Sequence, residues 1–170
     1  AGAHHFFPIP LNGFSDAQIH LPEIWGDLAF ELEDKMHTTL DLAQKVKIMQ
    51  RSLLLQLSRN GEHDHLVNHC LATIHAQKGL ITVGKLSEQT GVSTRQLLRR
   101  FDRRVGASAK EFCRIVKFLA ACRRLRSSQN DPLTSIAYTS GYADQAHFIH
   151  DFRQYSGLTP GELLRTDNVF

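Results

Sequence analysis

The stretch IAYTSGYADQAHFIHDF, residues 136–152, repeats a pattern that begins fifty residues earlier in LSEQTGVSTRQLLRRF, residues 86–101. Each copy opens with a branched apolar residue and a small residue, and a glycine lies five positions after the first. A capping residue follows (Ser93, Asp144), with an apolar residue four positions later and a phenylalanine eight positions later. A glycine-containing turn between two short helices is typical of the helix-turn-helix. The sequence therefore predicts two such units.

Composition is that of an ordinary globular chain. Its 170 residues are 42% hydrophobic and 22% charged, which fits one or two domains. The sequence has neither an apolar run long enough to span a bilayer nor a signal peptide, so we expect a cytoplasmic protein without membrane contact. Cys113 and Cys122 lie nine residues apart in one predicted helix, roughly 13 Å, too far for a disulfide. With Cys70 they are expected to be reduced, buried or half-buried thiols.

Charge is distributed unevenly along the chain. Residues 1–78 hold six basic and nine acidic residues, whereas residues 79–170 hold fourteen and eight. Eleven basic residues lie between Arg95 and Arg126, against only Asp102 and Glu111. Such a basic stripe attracts phosphate backbones, although a solvated helical face would show the same charge.

The first 78 residues predict a loop and three helices. Residues 1–22 contain three prolines and no sustained period, so we expect an extended or looped segment. Pro22 suits the first turn of a helix with an inward face of Ile24, Trp25, Leu28 and Leu32. Thr39 or Asp41 can cap a second helix, and a third is expected at about 62–77. The inward face predicted for the second helix consists of Leu42, Val46, Met49, Leu53 and Leu57.

From Gly79, the predicted boundary, the helices follow the repeat. We expect a first helix-turn-helix over 82–105, a linker helix over 108–127, a second helix-turn-helix over 133–155 and a final helix over 159–166. Ser93 and Gln96 have the spacing of a capping box. The final helix begins with a capping Thr159 followed by Pro160. The predicted fold class is therefore all-α.

The exposed faces of the two second helices carry the chemistry of base recognition. In a helix-turn-helix the second helix lies in the major groove of DNA. With Leu97 and Phe101 directed inward, the residues left outward in the first copy are Thr94, Arg95, Gln96, Arg99 and Arg100. Arginine can bind guanine and glutamine can bind adenine bidentately. With Phe148 and Phe152 inward, the outward residues of the second copy are Gln145, Ala146, His147, Ile149 and His150, with Arg153 nearby.

The predicted linker helix sets the distance between the two predicted helix-turn-helix units. Twenty residues make a helix of roughly 30 Å, close to the rise of about 34 Å per turn of B-DNA. A rigid helix of that length can hold two reading helices in successive major grooves. Its apolar stripe also fits an ordinary core helix.

The segment 79–166 resembles the DNA-binding domain of the AraC/XylS family of bacterial transcription regulators. The resemblance rests on 86–101, on 136–152 and on the closing SGLTPG of 156–161. It implies seven helices in two helix-turn-helix units joined by a linker helix. It also implies contacts to bases or phosphates at Arg95, Gln96, Arg99, Gln145, Ala146, His147 and His150. We add the two caps, Ser93 and Asp144, with Thr94, Arg100 and Arg153, to the expected DNA-binding set.

Two positions depart from the family pattern. His150 stands where members often have arginine, which predicts a weaker or pH-sensitive contact. Leu98 stands at a position that is usually polar, which puts a base contact there in doubt. Members usually carry an effector or dimerisation domain upstream, and residues 1–78 are expected to be its helical end. A small-molecule effector would then act only through the missing part, and RNA polymerase is an expected partner besides double-stranded DNA.

Other functions have weaker support. His65 and His69 have a zinc-compatible spacing, with His63 nearby, but they lack the glutamate of a metalloprotease motif. The pair His4 and His5 is interpreted as incidental. We expect no metal, no cofactor and no enzymatic activity, because no nucleophile elbow, phosphate loop or paired carboxylates are present. The alternative function is a helical protein-binding adaptor whose basic face meets an acidic partner.

Overall fold

The chain is helical throughout the part that the structure describes. A computed structural model describes residues 6–7, 10–11, 18–60, 64–128 and 131–166. Within these residues the regular elements are all helices, which confirms the predicted all-α class. Their bounds are α1 Leu21–Trp25, α2 Asp27–Thr38, α3 Leu42–Arg59, α4 His65–Ala76, α5 Val83–Thr90, α6 Thr94–Val105, α7 Ala109–Ser127, α8 Leu133–Thr139, α9 Gln145–Ser156 and α10 Pro160–Leu163.

These helices form two compact units that alternate along the chain. One unit takes residues 1–69 and 90–109, and the other takes 70–89 and 110–170. The unit boundaries therefore fall inside α4, at the end of α5 and at the start of α7. The domain boundary expected at Gly79 stays a prediction. Most of the segment 1–22 expected to be extended lies outside the described residues.

The first unit has a core around Trp25. This indole is buried, and its Nε1 donates a hydrogen bond to the carbonyl oxygen of Phe6 at 3.0 Å. Ala29 and Leu32 of α2 complete the buried cluster. The predicted first helix is divided, because the chain turns at Gly26 with φ of 56° and α2 begins at Asp27. Asp41 is the residue that caps α3, through the backbone N–H groups of Ala43 and Gln44.

The predicted inward face of α3 was wrong at three of its five residues. Leu42, Val46 and Met49 are 74%, 48% and 37% exposed. The α3 residues that pack on the Trp25 cluster are Leu53, as predicted, and Ile48, which was not predicted. The apolar residues of α3 cover more of its circumference than one packed stripe, and periodicity alone does not decide which stripe is buried.

The second unit has a larger core, built from α7, α8, α9 and α10. Its buried residues are Phe118, Ala121, Cys122, Leu125, Ile136, Ala137, Tyr142, Phe148, Phe152 and Leu163. Phe152 packs edge-on against Phe118 with ring centroids 5.0 Å apart. All three cysteines are buried thiols, as predicted, and burial raises the pKa of Cys122 to about 12.

A close approach in the second unit requires glycine. Gly79 follows α4 with φ of 76°, and a Cβ atom there would lie 2.2 Å from the carbonyl oxygen of Cys113 and 2.6 Å from the amide of Lys117. Both contacts are with the backbone of α7, which cannot move aside. Gly79 therefore fixes the α4–α5 connection against α7.

Candidate nucleic-acid interface

The helix α6 begins with the predicted capping box. Ser93 Oγ accepts a hydrogen bond from the Gln96 amide at 3.3 Å, and Gln96 Oε1 accepts from the Ser93 amide at 3.3 Å. Ser93 Oγ also donates to Gln96 Oε1 at 3.2 Å. The bidentate adenine contact expected of Gln96 would therefore require its Oε1 to leave the capping box. Here Ser93 and Gln96 order the start of the helix.

The exposed face of α6 is the one predicted. Leu97 and Phe101 are fully buried. The polar side chains expected outward are all exposed, namely Thr94, Arg95, Gln96, Arg99 and Arg100. Leu98, at 38% exposure, adds an apolar side chain to this face.

The guanidinium of Arg100 has an ion-pair partner in the same unit. Its Nη1 lies 3.1 Å from Asp64 Oδ1, which also accepts a hydrogen bond from the Val67 amide at 3.1 Å. Asp64 thus joins Arg100 to the first turn of α4. The pairing was not predicted, because 36 residues separate the partners.

The helix α9 begins with a charged cap. Asp144 Oδ1 accepts a hydrogen bond from the His147 amide at 2.7 Å. The preceding turn holds the buried Tyr142, whose ring meets Phe148 edge-on at 5.2 Å. Lys117 of α7 places its Nζ 3.9 Å from the centroid of that ring. Burial lowers the pKa of Lys117 and raises the pKa of Tyr142.

The outward face of α9 agrees with the prediction except at two positions. Ala146, His147, His150 and Arg153 are exposed, and Gln145 is half-buried. Ile149 was expected to point outward, but it packs against the core of the second unit. This orientation is favoured because it removes apolar surface of Ile149 from water next to Phe148.

A buried carboxylate on α9 was missed by the sequence analysis. Asp151 is fully buried, and its Oδ1 accepts a hydrogen bond from Arg114 Nη2 of α7 at 2.8 Å. The same Nη2 donates to Gln154 Oε1 at 2.9 Å, and Arg114 Nη1 lies 3.2 Å from Glu111 Oε2. The hydrogen bond with Asp151 is the main cause that raises the pKa of Arg114. This cluster joins α9 to α7.

The cluster also borders the exposed face of α9. Asp151 Oδ1 lies 3.9 Å from His147 Nε2 and 3.8 Å from His150 Nδ1. Both imidazoles belong to the predicted DNA-binding set. The two imidazoles thus lie beside a carboxylate that is already paired with Arg114. No sequence signal marks this arrangement, because Arg114 and Asp151 lie 37 residues apart.

Two other predictions concern a metal and the membrane. The described residues include no group of three His, Cys, Asp or Glu side chains that could hold a metal ion. His4, His5 and His63 lie outside these residues. Of the helices that the structure describes, none is both long enough and apolar enough to cross a membrane.

Comparison with known proteins points to one family. A family profile described as a helix-turn-helix domain matches residues 86–166. The transcriptional activator RhaS of Escherichia fergusonii is 24% identical over 96% of this chain and 63% of its own length. RhaS of Pectobacterium atrosepticum is 31% identical over 47% of this chain and 28% of its own length. The chain thus spans less than two thirds of these relatives.

Solved structures have the same fold. A probable AraC family transcriptional regulator from Rhodopseudomonas palustris aligns with a TM-score of 0.55 and 29% identity, covering 60% of this chain and 96% of that one. The C-terminal domain of AraT, a response regulator from Geobacillus stearothermophilus, aligns with a TM-score of 0.55 and 23% identity, over 62% and 88%. With the paired motifs, the two capped helices and the matching profile, these likenesses show that residues 86–166 form a helix-turn-helix domain of the AraC family type.

Proposed function

We propose that this chain binds double-stranded DNA sequence-specifically through the exposed faces of α6 and α9. The observation that carries the proposal is the matched construction of the two helices. Each has a side-chain N-cap, two fully buried apolar residues and an exposed polar face. The AraC family type of this domain supports the same function.

On α6 the proposed base-reading residues are Arg95 and Arg99. Both are exposed, and arginine can bind guanine O6 and N7 with two hydrogen bonds. Thr94 lies beside them for a phosphate or base contact. Ser93 and Gln96 contribute by ordering the first turn, and Arg100 reaches DNA only with those donors that Asp64 does not hold.

On α9 the proposed contacts are Gln145, Ala146, His147 and His150, with Arg153 at the phosphates. Ala146 offers a methyl group to thymine, and the imidazoles offer hydrogen bonds to bases or charge to phosphates. Asp144 serves as the cap that fixes this turn. The two faces therefore differ in chemistry, and the proposed site is asymmetric, with two different half-sites in adjacent major grooves.

The regulatory part of the proposal follows from the family. The chain would act at promoters, with RNA polymerase as a partner and with a small-molecule effector bound by a region outside this chain. These partners are proposed from the relatives, which are described as transcription activators or regulators.

A binding selection from random duplexes tests the proposal. We expect an enriched motif with two unlike halves, and we expect exchange of the two halves to abolish specific binding. Arg95→Ala and Arg99→Ala should relax the preference in one half only, and His147→Ala should do so in the other. Lys47→Ala, on an exposed position of α3, is the matched control.

Salt dependence separates DNA binding from the adaptor alternative. Several phosphate contacts make the logarithm of the affinity fall steeply with the logarithm of the salt concentration. A selection without an enriched motif, combined with tight binding to an acidic protein, would favour the adaptor. A symmetric motif would contradict the two-reader arrangement while leaving DNA binding intact.

A further inference from the structure

A cleft in the second unit lies between the α4–α5 connection, α7 and α8. Its volume is about 440 Å³, within the range of small-ligand sites. Three basic side chains line it, Lys78, Arg123 and Arg124, together with four hydroxyl-bearing residues. Among the described residues, the lining includes no carboxylate and no residue of the reading helix α9.

Among the residues that the structure describes, Lys78 and Arg123 have no ion-pair partner, whereas Arg124 is held by a hydrogen bond. Arg124 Nη1 donates a hydrogen bond to the carbonyl oxygen of Thr139 at 3.2 Å, at the C-terminal end of α8. That bond offsets the partial negative charge of the helix end. Lys78 and Arg123 are therefore the positive charges available to an anion.

The backbone at Lys78 is strained. Its φ is +52°, the one positive value among the described residues other than glycine. This conformation costs a lysine on the order of 1 kcal/mol relative to glycine. Glycine would adopt this conformation without strain, whereas the lysine places a cation in the lining of the cleft.

Ser140 supplies an unused hydrogen-bonding group at the cleft. The residue is 92% buried, given its 8% exposure, and it lines the cleft. Its Oγ has no hydrogen-bond partner within the described part of the chain. Leaving a buried hydroxyl unpaired is costly, and such groups usually have a partner.

Leu80 gives the cleft an apolar wall. Its Cδ2 would lie 2.2 Å from a Cβ atom at Gly141, so the leucine side chain lies directly on the turn that leads into α9. Leu80 is nevertheless 52% exposed, and Ala120 of α7 also lines the cleft. A ligand with an anionic group and a small apolar part would cover both kinds of surface.

We propose that this cleft binds a phosphate group through Lys78, Arg123 and Ser140. Phosphate suits the site because it accepts bonds on several oxygens at once, from the fork of an arginine, a lysine and hydroxyl groups. The volume exceeds that of phosphate alone, so the ligand is a small phosphorylated molecule or a phosphate of the DNA backbone. This site is independent of the proposed base contacts.

Titration of the full chain with inorganic phosphate, followed by amide NMR shifts at constant ionic strength, tests the site. We expect saturating shifts at the amides of Ser128, Thr139 and Ser140. Lys78→Ala and Arg123→Ala should each weaken phosphate binding at least tenfold. Lys85→Ala, an exposed lysine of α5 outside the cleft, should leave it unchanged. Linear shifts of equal size in all variants would show charge screening only and would overturn the proposal.

Ser140→Ala separates a ligand-binding hydroxyl from a structural one. Removal of an unpaired buried hydroxyl should leave the thermal midpoint unchanged or raise it, while phosphate binding weakens several-fold. Unchanged phosphate affinity in this variant would remove Ser140 from the site. If Lys78→Ala and Arg123→Ala were also without effect, the site itself would be excluded.

Two further measurements identify the source of the phosphate. A DNA phosphate predicts that Arg123→Ala weakens binding to any duplex uniformly and that inorganic phosphate competes with DNA. A small phosphorylated ligand predicts unchanged DNA affinity without phosphate and tighter binding of glycerol 3-phosphate than of inorganic phosphate. Loss of base preference in Arg95→Ala tests the proposed DNA function separately.

Discussion

The helices α6 and α9 share their construction and differ in the charge that they bury. Both have twelve residues, both end at a left-handed glycine, and both bury an apolar residue and a phenylalanine at the same two positions. The residue before that phenylalanine is Arg100 in α6 and Asp151 in α9. Arg100 is 48% exposed in its ion pair, whereas Asp151 is fully buried in its own.

This difference shows how two helices with the same packing residues present chemically different exposed faces. In α6 Arg95, Arg99 and Arg100 are exposed, and Arg100 is paired with Asp64, which is 12% exposed. In α9 the equivalent position holds an interior anion that anchors α7 through Arg114 and lies beneath two exposed imidazoles. The packing residues are repeated, and the charged residues are not.

The largest expected effects test whether α6 and α9 are packed equally well. Phe101→Ala and Phe152→Ala each remove a fully buried ring, which costs about 3–5 kcal/mol of unfolding free energy. We expect similar losses for both, measured by urea unfolding followed by circular dichroism. A loss below 1 kcal/mol in one variant alone would show that the two copies are not packed alike. Leu98→Ala, which removes an exposed side chain, is the control.

The second prediction concerns the two ion pairs. Arg114→Met leaves the buried Asp151 without its guanidinium, and loss of one partner of a buried pair costs about 3–5 kcal/mol. Because Arg114 is 29% exposed, we expect the lower end of that range. Arg100→Met should cost less than Arg114→Met, because Arg100 is 48% exposed and Asp64 keeps the hydrogen bond from the Val67 amide.

A double variant isolates the interaction in α9. Asp151→Leu combined with Arg114→Met removes both charges, and its unfolding free energy should exceed that of Arg114→Met alone. Equal destabilisation by Arg114→Met and Arg100→Met would remove the proposed distinction between the two helices.

Local features of both helices could be predicted from sequence, and their long-range contacts could not. Ser93, Gln96, Asp41 and Thr159 act as caps because capping depends on residues within three positions. The apolar spacing of four likewise placed Leu97 and Phe148 inward. These interactions are encoded in short stretches of chain.

The contacts that were missed and the residues whose burial was predicted wrongly depend on tertiary packing. Arg114 and Asp151 belong to different helices, so neither periodicity nor a motif connects them. Ile149 turns inward and Val46 stays exposed because a neighbouring element, rather than the helix's own pattern, decides which apolar residues are covered. The cleft beside α8 depends on Gly79 holding a distant connection against α7.

The third prediction compares the two faces on DNA. Arg99 and His150 occupy the same position, one residue before Arg100 and Asp151. Arg99→Ala should weaken specific binding by about 1–3 kcal/mol and lower the salt slope by about one. His150→Ala should have a smaller effect, because an imidazole offers fewer donors than a guanidinium. Fluorescence anisotropy with the selected duplex measures both, and a larger loss for His150→Ala than for Arg99→Ala would contradict this prediction.

The smallest expected effects come from the caps. Ser93→Ala removes an acceptor from the Gln96 amide and disrupts the capping box, and Asp144→Ala removes the acceptor of the His147 amide. Each should cost about 1 kcal/mol in unfolding free energy. Asp144 also places a negative charge at the positive end of α9, so its loss should depend on salt, while the loss at the neutral Ser93 should not. Asp144→Asn keeps the acceptor without the charge, and unfolding in low and high salt should show most of the stability restored and the salt dependence gone. If Ser93→Ala and Asp144→Ala showed the same salt dependence, the charge of Asp144 would make no contribution of its own to capping α9.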